Sequence, residues 1–270
     1  MGKNTEISWT DHTWNPWQGC RKVSPGCKNC YMFREKKRWK QDGSHIHMSS
    51  MPTFKKPLSW KEPAKVFTCS WSDFFLEEAD FWRESAWEII RKTPHLTYQI
   101  LTKRPERIRE CLPKDWPLEN VWLGVTAENQ EMADIRIPIL LSIPATVRFI
   151  SVEPMLGPVN MAEYIQLTES NGGFEFFEKN GWGYDEWSGG FLGGVDSTYQ
   201  PEPGIHWVIC GGESGAGFRE MKKEWAWDLL QQTEIPQIPF FMKQMAGIRP
   251  KDIPLPDILK VREFPQAGRQ

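Results

Sequence analysis

A chain of 270 residues, 40% hydrophobic and 25% charged, has the balance of a globular protein long enough to bury a sizeable core. It contains no apolar run of the roughly 18–20 residues that crosses a bilayer, and its opening MGKNTEISWTDHTWN lacks the basic and apolar stretches of a signal peptide, so a cytoplasmic protein with no membrane partner is expected. The formal net charge of −2 argues against a polyanionic partner only until the chain is divided: residues 1–114 carry 21 Lys and Arg against 13 Asp and Glu, and the rest carry 12 against 22.

The first expected element is a short strand over Glu6–Trp9. It leads into WNPWQGCRKVSPGCKNCY, where Cys20, Cys27 and Cys30 crowd into eleven residues while Cys69, Cys111 and Cys210 stand apart. Cys69 and Cys210 lie in apolar runs and read as small buried hydrophobes. In a reducing compartment a tight cysteine cluster holds a metal more readily than a disulfide. Three thiolates leave one corner of the site open. His12, His45 or His47 could complete a structural zinc site; a [4Fe–4S] cluster would instead leave one iron free for a small molecule. Inert thiols gathered by chance are the third reading.

Past the cysteines the chain is basic, with Arg34, Lys36, Lys37, Arg38 and Lys40 around Trp39, then Lys55, Lys56, Lys61 and Lys65 beside Trp60. Such a run is either a solvated helix face or a surface for a polyanion, on which aromatic rings stack bases. Fifteen Trp and fifteen Phe have to be packed somewhere, and most are expected in the core.

From residue 65 onward, short β-branched and aromatic runs recur: Lys65–Cys69, Leu96–Leu101, Val121–Val125, Val147–Val152, His206–Cys210 and Ile238–Met242. Helical spacing separates them, over Asp80–Lys92 with Asp80 as N-cap, Asn129–Ile143 and Arg219–Gln232. Strands alternating with helices predict an α/β fold with a parallel sheet, as a full or partial (β/α) barrel or, in competition, a doubly wound open sheet. The barrel is favoured because every strand ends in polar chemistry: CSWSDFF, LTKRPE, GVTAEN, SVEPMLGP, CGGESG and MKQMAG. In a barrel those ends converge on one mouth. The segment 163–204, glycine-rich and aromatic with eight acids against Lys179 alone, breaks this rhythm and reads as an insertion within a single domain spanning residues 1–270, either a lid or a partner surface.

The segments TWNPWQGC, SPGCKNCY, FTCSWSDFF, LTKRPERI, GVTAEN, FISVEPMLGP, WVICGGESG and FFMKQ together resemble the phage and bacterial three-cysteine-motif family of radical S-adenosylmethionine (SAM) enzymes. The resemblance implies a partial (β/α)6 barrel of the radical SAM type. It also implies a [4Fe–4S] cluster on Cys20, Cys27 and Cys30, and S-adenosylmethionine on the fourth iron, cleaved on reduction by an external electron donor to a hydrogen-abstracting 5′-deoxyadenosyl radical. On the same basis Ser70, Ser72 and Asp73 occupy the place where the cofactor's amine is bound. Thr126, Glu128 and Asn129 match ribose hydroxyls, and Lys103 or Arg104 matches its carboxylate. Glu153 and Glu213, with Lys103, are the candidate catalytic groups.

Fold and cofactor leave the substrate open. The first expectation is a modified nucleobase in DNA, or a nucleotide, acted on by an isomerase or lyase: hypermodified thymine in phage DNA, or a photolesion under repair, with the basic stretch on the backbone. Radical modification of a peptide or small metabolite is the second. The third is a zinc-stabilised DNA-binding protein without catalysis, for which no reader motif appears.

Overall fold

The computed structural model describes residues 5–165 and 204–265. Seven parallel strands form one sheet: β1 His12–Trp14, β2 Ala64–Thr68, β3 Leu96–Thr102, β4 Val121–Thr126, β5 Val147–Val152, β6 Trp207–Gly211 and β7 Phe240–Gln244. They are hydrogen-bonded in the order in which they occur along the chain, without a reversal. A doubly wound sheet reverses its strand order at a switch point, so the competing architecture is excluded. β4, β5 and β6 are buried at every position, as expected for strands covered on both faces.

One face is covered by helices. After the loop helix α1 (Tyr31–Arg38), α2 (Asp80–Arg91) buries Ala86, Trp87, Ile89 and Ile90, α3 (Gln130–Leu141) buries Ala133, Ile137, Leu140 and Leu141, and α4 (Lys223–Glu234) buries Ala226, Leu229 and Leu230. Apolar positions three and four apart give each helix one face to bury. The expected cap of α2 is displaced by one residue: Ala79 stands at the N-cap, and Asp80 instead pairs with Arg83 and Arg107.

The other face curls around an aromatic cluster of Trp9, Phe67, Trp122, Phe149, Trp207 and Phe241. Phe67 lies on β2 and Trp207 on β6, four strand spacings or roughly 19 Å apart in a flat sheet. Yet both rings touch Trp9, at centroid distances of 4.6 and 6.2 Å, so the sheet bends into a half-barrel with Trp9 across its base. Here the opening strand differs from expectation. The alternation of Ile7 and Trp9 serves this packing, Thr10 N–H turning back to the Ile7 carbonyl at 3.2 Å, and pairing begins later, where His12–Trp14 runs beside Val66–Thr68.

Of the expected insertion, only residues 163–165 and 204 fall within the described residues. Among the described residues no helix is long and apolar enough to cross a membrane.

Candidate functional site

The carboxyl-terminal ends of β2 to β7, with the loop that follows β1, open into one cavity of about 1130 Å³. Its base is apolar, with Trp9, Phe67 and Leu101. Its mouth carries Cys20, Cys27 and Cys30 on the loop after β1, then Ser70 to Asp73, Lys103, Arg104, Thr126, Ser151, Glu153, Glu213 and Lys243 from successive strand ends. The three thiols are half-buried. Cys69 and Cys210 are buried as the apolar runs imply, although Cys69 also reaches the cavity wall.

The cysteine loop has little regular structure of its own: Trp17–Gln18 pairs with His47–Met48, and a 3-10 turn covers Pro25–Cys27. Its shape comes from outside. From β2, the Ser72 hydroxyl donates to the Gly19 carbonyl at 2.5 Å. The Asp73 carboxylate accepts from Thr102 Oγ1 at 2.7 Å, from the Lys103 N–H at 3.0 Å and from Arg104 Nη1 at 3.1 Å. Arg104 in turn donates to the Arg21 carbonyl at 2.8 Å and lies 3.9 Å from Cys20 Sγ. Burial, and after it the Asp73 charge, pushes the Cys20 thiol up to about 12 against the opposing pull of Arg104.

Two further carboxylates reach the loop from β4 and β6. Glu128 is fully buried. It accepts from the Gly26 N–H at 3.0 Å and from the Ser24 hydroxyl, and its other oxygen pairs with Arg136 Nη1 of α3 at 2.8 Å. Glu213 accepts from the Asn29 side-chain amide at 2.9 Å and is bracketed by Arg219 through Nη2 at 2.6 Å and Nε at 3.1 Å, while Arg219 Nη1 donates to the Pro25 carbonyl at 3.0 Å. Burial opposes the charged form of both acids. Arg136 and Lys103 beside Glu128, and Arg219 and Asn29 beside Glu213, outweigh it and hold both carboxyls below their ordinary value of 4.5.

The residues singled out in the sequence therefore divide. Lys103, Thr126 and Glu153 face the cavity together: Lys103 Nζ donates to Thr126 Oγ1 at 3.2 Å, and Glu153 pairs with Lys243. Ser70, Ser72, Asp73, Arg104 and Glu213 also line it, with polar atoms turned largely to the protein itself. Ser70 Oγ, for example, meets the Asn15 amide at 3.0 Å. Glu128 and Asn129 do not line it. The expectation that they face ribose hydroxyls fails because Glu128 is consumed by the loop and Arg136, and Asn129 caps α3 by accepting from Met132 N–H at 2.9 Å. Of the three histidines proposed as a fourth zinc ligand, none lines the cavity: His12 packs tilted against Trp60 at 4.6 Å, and His45 and His47 stack on each other at 5.1 Å. Among the described residues, no three His, Cys, Asp or Glu are gathered to hold a single ion.

Lys243, Arg136, Arg219 and Asn29 were not anticipated. Arg136 had a signal: a cation flanked by Ile135 and Ile137 that is buried needs an acidic partner. Of the basic run on α1, Lys37, Arg38, Trp39 and Lys40 are exposed, Trp39 by 67%, whereas Lys36 is buried against Gln18 at 2.8 Å and Arg34 donates to the Ser214 carbonyl at 2.7 Å.

A family model covers residues 4–269, described as protein of unknown function (DUF5131). The chain belongs to the DUF5131 family. That membership overturns the resemblance to the radical SAM three-cysteine-motif family: the family shown is an uncharacterised one, and no radical SAM family or motif is shown. No curated protein and no solved structure matches the chain.

Proposed function

We propose that this DUF5131 protein is an enzyme that carries a [4Fe–4S] cluster on Cys20, Cys27 and Cys30, binds S-adenosylmethionine beside it, and acts on a modified nucleobase or nucleotide. One observation carries the reading: three thiols from one loop face a single cavity at the strand ends, where (β/α) folds do chemistry. The donor set fits, since cysteine thiolates are the usual ligands of such clusters. When bound, a cluster with one open iron supplies a coordination site and one-electron chemistry, which with an external electron donor suffices to cleave S-adenosylmethionine to methionine and a 5′-deoxyadenosyl radical. On this reading β2 to β7 are the six strands of a partial (β/α)6 barrel, with β1 added at the leading edge.

The chain's own residues have separable tasks. Lys103, held by Thr126, is the cation available for a ligand carboxylate or phosphate. The Glu153–Lys243 pair, which lines the cavity, is on this reading the acid–base pair available to hold or move a proton at the substrate. Trp9, Phe67 and Leu101 supply apolar walls against which a reactive species would be shielded from water. The exposed Lys37, Arg38, Trp39 and Lys40 at the end of α1, which begins directly after Cys30, suit a nucleic-acid backbone.

The test is anaerobic incubation of reconstituted protein with dithionite and S-adenosylmethionine, with and without DNA carrying modified thymines. The reading expects 5′-deoxyadenosine from the parent and none from Cys27→Ala, with an altered base when DNA is present. No 5′-deoxyadenosine from a cluster-loaded parent would sink it.

A further inference from the structure

The two carboxylates at the ends of β4 and β6 contact the cysteine loop only between its cysteines. Glu128 takes the Gly26 N–H and the Ser24 hydroxyl, between Cys20 and Cys27; Glu213 takes the Asn29 amide, between Cys27 and Cys30. Each is locked from behind by a guanidinium, Arg136 or Arg219, and Arg219 adds a bond to the Pro25 carbonyl. The loop's internal backbone bonds are few and local: Cys27 to Ser24 at 2.9 Å, Lys28 to Pro25 at 3.2 Å, and Cys30 to Cys27 at 3.4 Å. Close packing enforces the same arrangement. A side chain at Gly26 would stand 2.8 Å from Glu128 Oε1.

We infer that Glu128 and Glu213 are positioning residues that fix the stretch of loop carrying Cys27 and Cys30 before any cofactor is loaded. The inference rests on reading those thiols as cluster ligands. Fixed acceptors fit this task because an unstructured loop must otherwise be ordered at the moment of loading, and each ordered residue opposes binding. The carboxylates touch no thiol themselves. They act through Ser24, Gly26 and Asn29, in the way that residues behind a metal's ligands orient those ligands.

The experiment uses the full chain with Glu128→Gln and Glu213→Gln, which keep size and remove charge. Ser24→Ala removes one donor from Glu128 but leaves its charge and its Gly26 and Arg136 partners in place, so the question survives if a Gln variant fails to fold. Asp80→Asn, which breaks a carboxylate–guanidinium network directed at Arg83 and Arg107, is the control for stability alone. In the cluster-free chain, alkylation of Cys20, Cys27 and Cys30 by iodoacetamide is followed by mass spectrometry, with Cys69 and Cys210 as internal references. In the reconstituted chain, loss of the cluster's visible absorbance to a chelator is timed.

The expected result is faster alkylation of Cys27 and Cys30 in the Glu and Ser24 variants, with the reference cysteines and Asp80→Asn unchanged, and cluster loss about 10-fold faster. Parental alkylation in Glu128→Gln, Glu213→Gln and Ser24→Ala, with only the melting temperature altered, would overturn it. Failure of the parent to take up iron would remove the cluster reading, and the alkylation arm would still decide whether the carboxylates hold the loop.

Discussion

The carboxylate of Glu128, just past the end of β4, accepts a hydrogen bond from the backbone N–H of Gly26 at 3.0 Å, across 102 residues of chain. Strand end and cysteine loop are thereby one unit. Its energetic weight follows from the complete burial of Glu128, since a buried acid is retained only where every oxygen has a partner.

Truncation of Glu128 to Ala leaves the buried Arg136 guanidinium without its counter-charge, held by the Thr126 carbonyl, together with two unmatched donors in the loop. The expected loss is about 3–5 kcal/mol, read as a fall in the denaturant midpoint. A loss under about 1 kcal/mol, the value of an exposed pair, would mean that the site relaxes to admit water.

Gly19 tests the loop from its other end. Its φ is +88°, and an added Cβ would stand 2.3 Å from the His45 carbonyl oxygen. The left-handed backbone alone costs a substituted residue about 1–3 kcal/mol, so Gly19→Ala is expected to destabilise the protein by at least that much and to displace Cys20. Circular dichroism melts together with metal uptake check both effects.

Acid acts on the same structure. Glu128 and Glu213 have folded values below 4.5, so their contribution is fully present above the unfolded value and is lost as the pH falls through the lowered folded values. Stability is expected to be flat in this respect down to about pH 5 and to decline below it. Denaturant midpoints measured across this pH range check the decline. Glu128→Gln is expected to flatten part of the acid limb.

Much of this was legible in the sequence, for definite reasons. The six later strands announced themselves as apolar runs because parallel strands covered on both faces are apolar throughout, and Val147–Val152 matches at both ends. Glu6–Trp9 misled because alternation records burial on one side without saying what covers it, and here Trp9 meets other rings instead of a neighbouring strand. The polar strand ends were visible, and their convergence followed from the fold. Their division of labour did not, because the number of acceptor positions already filled on Glu128 depends on Ser24, Gly26 and Arg136 arriving from elsewhere. The same holds for the ion pair of Lys243 with Glu153.

For the nucleic-acid reading, the exposed end of α1 gives a separate test. Trp39→Ala is expected to weaken binding of single-stranded DNA by about 1–3 kcal/mol if a base stacks there. Replacing Lys37 and Lys40 by Ala should lower the slope of log affinity against log salt by about 1 for each phosphate that is no longer neutralised. Fluorescence anisotropy across a salt series reads both. An unchanged slope would place the polyanion elsewhere.

The most direct measurement is the iron and acid-labile sulfide content of the anaerobically reconstituted chain, taken with its visible spectrum. The expected result is a brown protein with about four iron and four sulfide per chain, both lost in Cys20→Ala, Cys27→Ala and Cys30→Ala and retained in Cys69→Ala. A colourless chain that takes up zinc alone, or a cluster indifferent to the loss of Cys27, would contradict it.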